Sequence, residues 1–107
     1  MIIVTSDDIA GMRIVKSLGI VRGNTIRGRH VGRDLLAFLK NLVGGEIHEY
    51  VKLLAEAREQ AVDRMVEEAE DLGANAIVSV RFATAEMMQG AAELMAYGTA
   101  VIAEPIE

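Results

Sequence analysis

The stretch Gly19–Gly45, GIVRGNTIRGRHVGRDLLAFLKNLVGG, decides how this chain of 107 residues is read. Glycines stand at 19, 23, 28 and 32 and as a pair at 44 and 45, with Arg22, Arg27, Arg29 and Arg33 among them. Glycines interleaved with cations can cradle a phosphate, or they can let extended chain bend. Gly23-Asn24-Thr25-Ile26-Arg27-Gly28 has the outer spacing of a P-loop. Arg29-His30 follows, however, where that motif needs Lys to reach the terminal phosphates and Ser or Thr to hold magnesium. There is no GxGxxG dinucleotide fingerprint either. The glycines are therefore read as bulges, bends or points of close backbone approach in extended chain. Asn24 beside Gly23 suits a turn or a bulge.

Working outward, Met12 to Val21 alternates with period two, the signature of a strand. Ile14, Leu18 and Ile20 share one face, and Arg13, Val15, Ser17, Gly19 and Val21 share the other. Thr25-Ile26-Arg27 resumes extended structure, so the segment reads as a glycine-bent strand pair. Past Gly32 the period lengthens. Leu35, Leu36, Leu39, Leu42 and Val43 fall at helical spacing, and Gly44-Gly45 stops that first helix.

A second, longer helix is expected over Ile47 to Leu72. Val51, Leu54, Ala55, Ala61, Val62, Met65, Val66, Ala69 and Leu72 form its apolar stripe, and Arg58 lies within it. Gly73 ends it. Two strands follow, Ala76–Thr84 and Leu94–Ala103, the latter with Tyr97, Thr99 and Val101 on one face. Glu86–Gly90 joins them as a loop. Met1–Val4 is a β-branched edge strand. The expected fold is a single α+β domain over residues 1–107, a mainly antiparallel sheet with two helices packed on one face.

Composition narrows the function. Hydrophobic residues make up 51% of the chain, with two Phe, two Tyr and no Trp. The mean hydropathy of +0.27 is high for a small domain. Part of that apolar surface is expected to cover a subunit interface. The net charge of −5 argues against nucleic acid or an anionic membrane as partner. The charge is also divided. Residues 1–40 hold seven basic and three acidic groups, while the remainder is strongly acidic. Unlike faces of this kind suit head-to-tail contacts between copies. The absence of cysteine removes disulfides and thiolate chemistry. The N-terminus lacks a signal-peptide pattern, and Leu94–Ala103 is too short to span a membrane, so a cytoplasmic location is expected.

Candidate ligands are few. His48 and Glu49, within Glu46-Ile47-His48-Glu49, together with His30, offer nitrogen and oxygen donors to a divalent transition metal such as zinc, nickel or copper. Neighbours one and two apart on a helix do not face each other, so such a site needs His repeated from several subunits. Met87, Met88 and Met95 are thioether candidates for Cu(I), though Met more often fills cores and interfaces. Arg27 and Arg29 are candidates for a small anionic or phosphate-containing ligand in a basic pore. No nucleophile–base arrangement stands out, and no enzymatic activity is expected.

The segments LGIVRGNTIRGRHVGRDLLAFLKNLVGG, EAREQA, LGANAIVSVRF and YGTAVI together resemble the YbjQ family across nearly the whole chain. That family is catalogued as a candidate heavy-metal-binding domain. The resemblance implies a dodecin-like α+β subunit and a ring-shaped homo-oligomer, expected to be a pentamer. It supplies no mechanism and no ligand motif; together with the absent catalytic constellation and the surplus apolar surface, it leads to the expectation of a binding or scaffold protein with a metal or small ligand as cargo.

Overall fold

Residues 12–27 form one uninterrupted strand rather than a bent pair. A computed structural model describes residues 1–27, 47–88 and 91–106. In chain order the elements are β1 (Ile2–Ile3), β2 (Met12–Arg27), α1 (Ile47–Asp71), β3 (Ala76–Met88) and β4 (Ala91–Pro105). The expected helix between Gly32 and Gly44 lies outside the described residues. The four strands form one sheet in the order β1-β3-β4-β2. β4 is antiparallel to both β2 and β3, and β1 runs parallel to β3. β2 and β3 therefore point the same way with β4 inserted between them, a split β-α-β arrangement in which α1 lies on the crossover.

The glycines of β2 do two different jobs. At Gly19, φ is +114°, and the β2–β4 register slips between Ser17 and Gly19 as it does between Ile14 and Lys16. Val15 and Leu18 are the two unpaired residues, and each inverts the alternation. The two inversions cancel. Ile14, opposite Ala103, and Ile20, opposite Thr99, consequently share one face, as simple alternation has it. Leu18 departs from that pattern and packs against the helix-side core. Gly23 is neither bend nor turn. It is buried and paired with Ala96, and Asn24 continues the ladder opposite Met95.

Helix α1 covers one face of the sheet. Ala57, Ala61, Met65 and Ala69 are its buried positions, spaced by four. With Val21, Ile77, Val80, Ala96 and Ala100, the last three of these helix positions form the main core. Among the described side chains of the helix, three of the four buried ones are alanine, so the helix backbone can approach the sheet closely. Thr25 donates from Oγ1 to the Ala57 carbonyl at 3.1 Å, and the Arg64 guanidinium donates to the Asn24 carbonyl. Leu72, expected in the apolar stripe, is 48% exposed. It sits past the last helical turn, where Gly73, at φ +84°, closes the helix. Gly73 N–H reaches the Glu70 carbonyl and Ala74 N–H the Ala69 carbonyl, a Schellman cap.

The opposite face is covered only in part. Ala76, Val78, Val101 and Ala103 form a second cluster there, packed against Val4, Ile9, Met12 and Ile14. The N-terminal segment holds its place by pairing along β3. Val4 donates to Ile77, Val80 to Val4 and Ser79 to Ser6, at 2.9–3.1 Å. Asn75 works as a side-chain extension of the ladder, donating from Nδ2 to the Ala103 carbonyl and accepting from the Ala103 N–H, each at 2.8 Å. The β3–β4 ladder runs out to Met88 opposite Ala91, so most of the expected Glu86–Gly90 loop is strand.

Candidate functional site

Cross-strand register assembles the first candidate surface. Arg22 pairs with Tyr97, and Tyr97 pairs with Arg81, so the three form one row across β2, β4 and β3. Ala96 lies in the helix-side core, which sends its neighbour Tyr97 to the opposite face. The adjoining rows on that face are Ile20–Thr99–Val78 and Asn24–Met95–Ala83. Ile20 is 69% exposed and Tyr97 36%, and both arginines are exposed. Val78 belongs to the buried cluster under the N-terminal segment, and the rest of this area is the part of the outer face that the segment leaves bare.

The edge of this surface is built by a bulge in β3. Ser79 and Val80 together oppose Gly98, and Ser79 adopts φ +56°. Left-handed backbone is unfavourable for a residue with a Cβ, and local hydrogen bonds offset the cost. Ser79 donates from Oγ to the Asp7 carboxylate at 2.6 Å, and Arg81 reaches the Thr5 carbonyl at 2.6 Å. The bulge lets β3 hold the N-terminal segment while Arg81 stays on the outer face.

The second candidate is a groove between α1 and β3. It is open, has a volume of about 700 Å³ and is lined by Ala55, Arg58, Glu59, Val62, Asp63 and Phe82. Phe82 pairs with Ala96 and so faces the helix side, yet 48% of it stays exposed because α1 does not reach across it. Arg58, expected within the apolar stripe, is exposed at the groove wall. From Glu56 to Asp71 the helix carries seven acidic residues and two basic ones.

The residues singled out from sequence fall elsewhere. Arg27 is the last residue of β2, opposite Ala92. His48 and Glu49 lie in the first turn of α1. Thr25 meets Ala57, so the strand end and the helix start belong to the same end of the sheet, which is also where the β3–β4 ladder closes at Met88. Arg29 and His30 lie outside the described residues. Among the described residues, no group of three or more His, Cys, Asp or Glu is placed to share a metal ion. No described helix is long and apolar enough to cross a membrane. Sequence reading passed over the Arg22–Tyr97–Arg81 row and Phe82. The signal for the row is cross-strand pairing, which the order of residues along the chain does not display. For Phe82 the only local sign is a large aromatic among small residues.

Comparison with known proteins gives one consistent result. A family model named YbjQ, described as "Putative heavy-metal-binding", matches residues 1–104. A UPF0145 protein of Dehalococcoides mccartyi strain 195 is 57% identical over 104 residues, covering 97% of this chain and 100% of that protein. A UPF0145 protein of Methanosarcina acetivorans is 57% identical over 101 residues, covering 94% and 95%. One from Thermus thermophilus is 53% identical over 105 residues, covering 98% and 92%. Among solved structures, a protein of unknown function from Pediococcus pentosaceus, of the DUF74 family, superposes with a TM-score of 0.62 at 18% identity. That match covers 97% of this chain and 98% of the other, and it concerns the fold alone.

Proposed function

This chain belongs to the YbjQ family, and from that premise we propose that it is a cytoplasmic, non-enzymatic binding protein. It works as a homo-oligomeric ring, a pentamer by family resemblance, with a metal ion or small ligand as cargo. The observation that carries the proposal is the unfinished surface of the single chain. Ile20 at 69% exposed, Phe82 at 48% and Val15 at 44% stand on a sheet that one described helix covers on one side only. The radius of gyration is 16.9 Å, where a compact chain of this length has about 13 Å. An extended subunit with apolar residues on both faces is completed by neighbours.

The metal part rests on the family description and on His48 and Glu49 at the start of α1. A single helix turn supplies too few converging donors for one ion. Repetition around a ring axis multiplies them.

Two measurements test the proposal. Light scattering on a sizing column is expected to give about 58 kDa, five times 11.6 kDa. A species near 11.6 kDa removes the assembly. Elemental analysis of protein purified without an affinity tag is expected to find zinc, nickel or copper. Its loss in His48→Ala would place that residue in the site. No bound metal, and no thermal shift on adding these ions, removes the metal part and leaves a ring with another cargo.

A further inference from the structure

We infer that the bare outer sheet face of one copy, centred on Arg22, Tyr97 and Arg81, docks into the acidic groove between α1 and β3 of a second copy. This inference rests on the assembly proposed above and names the two surfaces that make it.

Charge separates the two surfaces. The rows from Ile20 through Asn24 hold two exposed arginines, Arg81 being also engaged with the Thr5 carbonyl, and the Asp7 carboxylate at the edge of the surface is taken up by Ser79. Glu93 enters only in a later row, opposite Ile26. Among the described residues, the groove presents Glu59 and Asp63 against a single cation, Arg58. The other basic residue of that helix segment, Arg64, is engaged with the Asn24 carbonyl. Each surface also carries exposed apolar area, Tyr97 with the neighbouring Ile20 on the sheet and Phe82 beside the half-buried Val62 in the groove. Apolar area flanked by unlike charges is the arrangement of a specific interface, where charge sets orientation and buried aromatic area supplies affinity.

The geometry also fixes the type of contact. The two surfaces lie on opposite faces of one sheet, so a copy that receives a neighbour in its groove still offers its own outer face. Such a contact is heterologous, and it closes a ring where the rotation between copies permits, as the proposed assembly requires, and runs on as a filament where it does not. In the assembly each outer sheet face acquires a helix, and the layer that the single chain lacks is supplied by its neighbour.

Charge reversal is the test, read by light scattering with circular dichroism as a check on folding. Arg22→Glu alone and Asp63→Arg alone are each expected to shift the population from the wild-type mass towards 11.6 kDa while the spectrum stays unchanged. The two changes on one chain are expected to restore the assembly, because the introduced glutamate of one copy then meets the introduced arginine of the next. Phe82→Asp is expected to dissociate it without rescue. A wild-type monomer overturns the assembly and this interface together. A wild-type assembly that survives all three single changes overturns the interface alone, as does a double variant that stays dissociated.

Discussion

Gly23 on β2 and Ala61 on α1 stand so close that no side chain fits between their backbones. A Cβ built on Gly23 would overlap the Ala61 carbonyl oxygen and the Met65 amide nitrogen, and would lie 2.9 Å from the Arg64 Cβ. The helix therefore rests on bare strand at this point. Thr25 and Asn24, the next residues along, convert the contact into hydrogen bonds from Thr25 Oγ1 and the Arg64 guanidinium.

Gly23→Ala is expected to be among the most damaging single changes in the domain. The obstructing atoms are backbone, so relief requires α1 to lift from the sheet. Overpacking of this kind costs about 3 kcal/mol, which lowers the melting temperature by about 10 °C or more in a domain of this size. A thermal melt within about two or three degrees of wild type, on the order of 0.5 kcal/mol, would show that the helix can shift freely.

Asn75→Ala removes both hydrogen bonds to Ala103 at once. Two net contributions of about 1 kcal/mol each, reduced by the exposure of Asn75, give an expected loss of about 1–2 kcal/mol. Asn75→Asp is expected to be no better, since a carboxylate still accepts from the Ala103 N–H but faces its carbonyl oxygen without a proton to donate. Chemical denaturation of the two variants beside wild type provides the comparison. Wild-type stability in either one refutes the ladder-extension role.

At Ser79 the backbone and side-chain effects oppose each other. Ser79→Gly loses the bond to Asp7 but relieves a φ of +56°, and the outcome is expected within about 1 kcal/mol of wild type. Ser79→Val loses the same bond and places a β-branched residue in left-handed backbone, for an expected loss of about 2 kcal/mol or more. The order of the two in a urea titration is the diagnostic. Valine matching glycine would mean that the bulge is free to rearrange.

Arg13 and Glu104 form an ion pair at 3.8 Å with side chains 72% and 57% exposed. Solvent screens such a pair and holding it costs side-chain freedom, so Glu104→Gln is expected to change stability by less than about 0.5 kcal/mol. A larger drop that vanishes in high salt would assign the pair a structural role.

Local signals in the sequence reach some of these features and miss others. Gly73 after Leu72 marks the helix end correctly, because a Schellman cap is built within a few consecutive residues. The same holds for the short N-terminal edge strand and for the shared face of Tyr97, Thr99 and Val101. The β2 segment is harder. Gly19 and Gly23 look equivalent in the sequence, yet one completes a bulge and the other admits a helix. The distinction lies in β4 and α1, not in β2. The candidate surfaces follow the same rule. Arg22, Tyr97 and Arg81 are separated by many residues and become neighbours only when two ladders set the register.

The sequence by itself determined the helical or extended character of the main described elements, the helix stop, the membership of a family and the absence of cysteine chemistry. Each of these depends on residue type and near spacing. Only the tertiary structure decided which glycine bends and which one is overlaid, which face Leu18 takes, and that two arginines flank one tyrosine. Bulges and register belong to pairs of strands, and a one-residue slip sends every following side chain to the other face. The chain shows alternation, but the partner strand decides which way it faces.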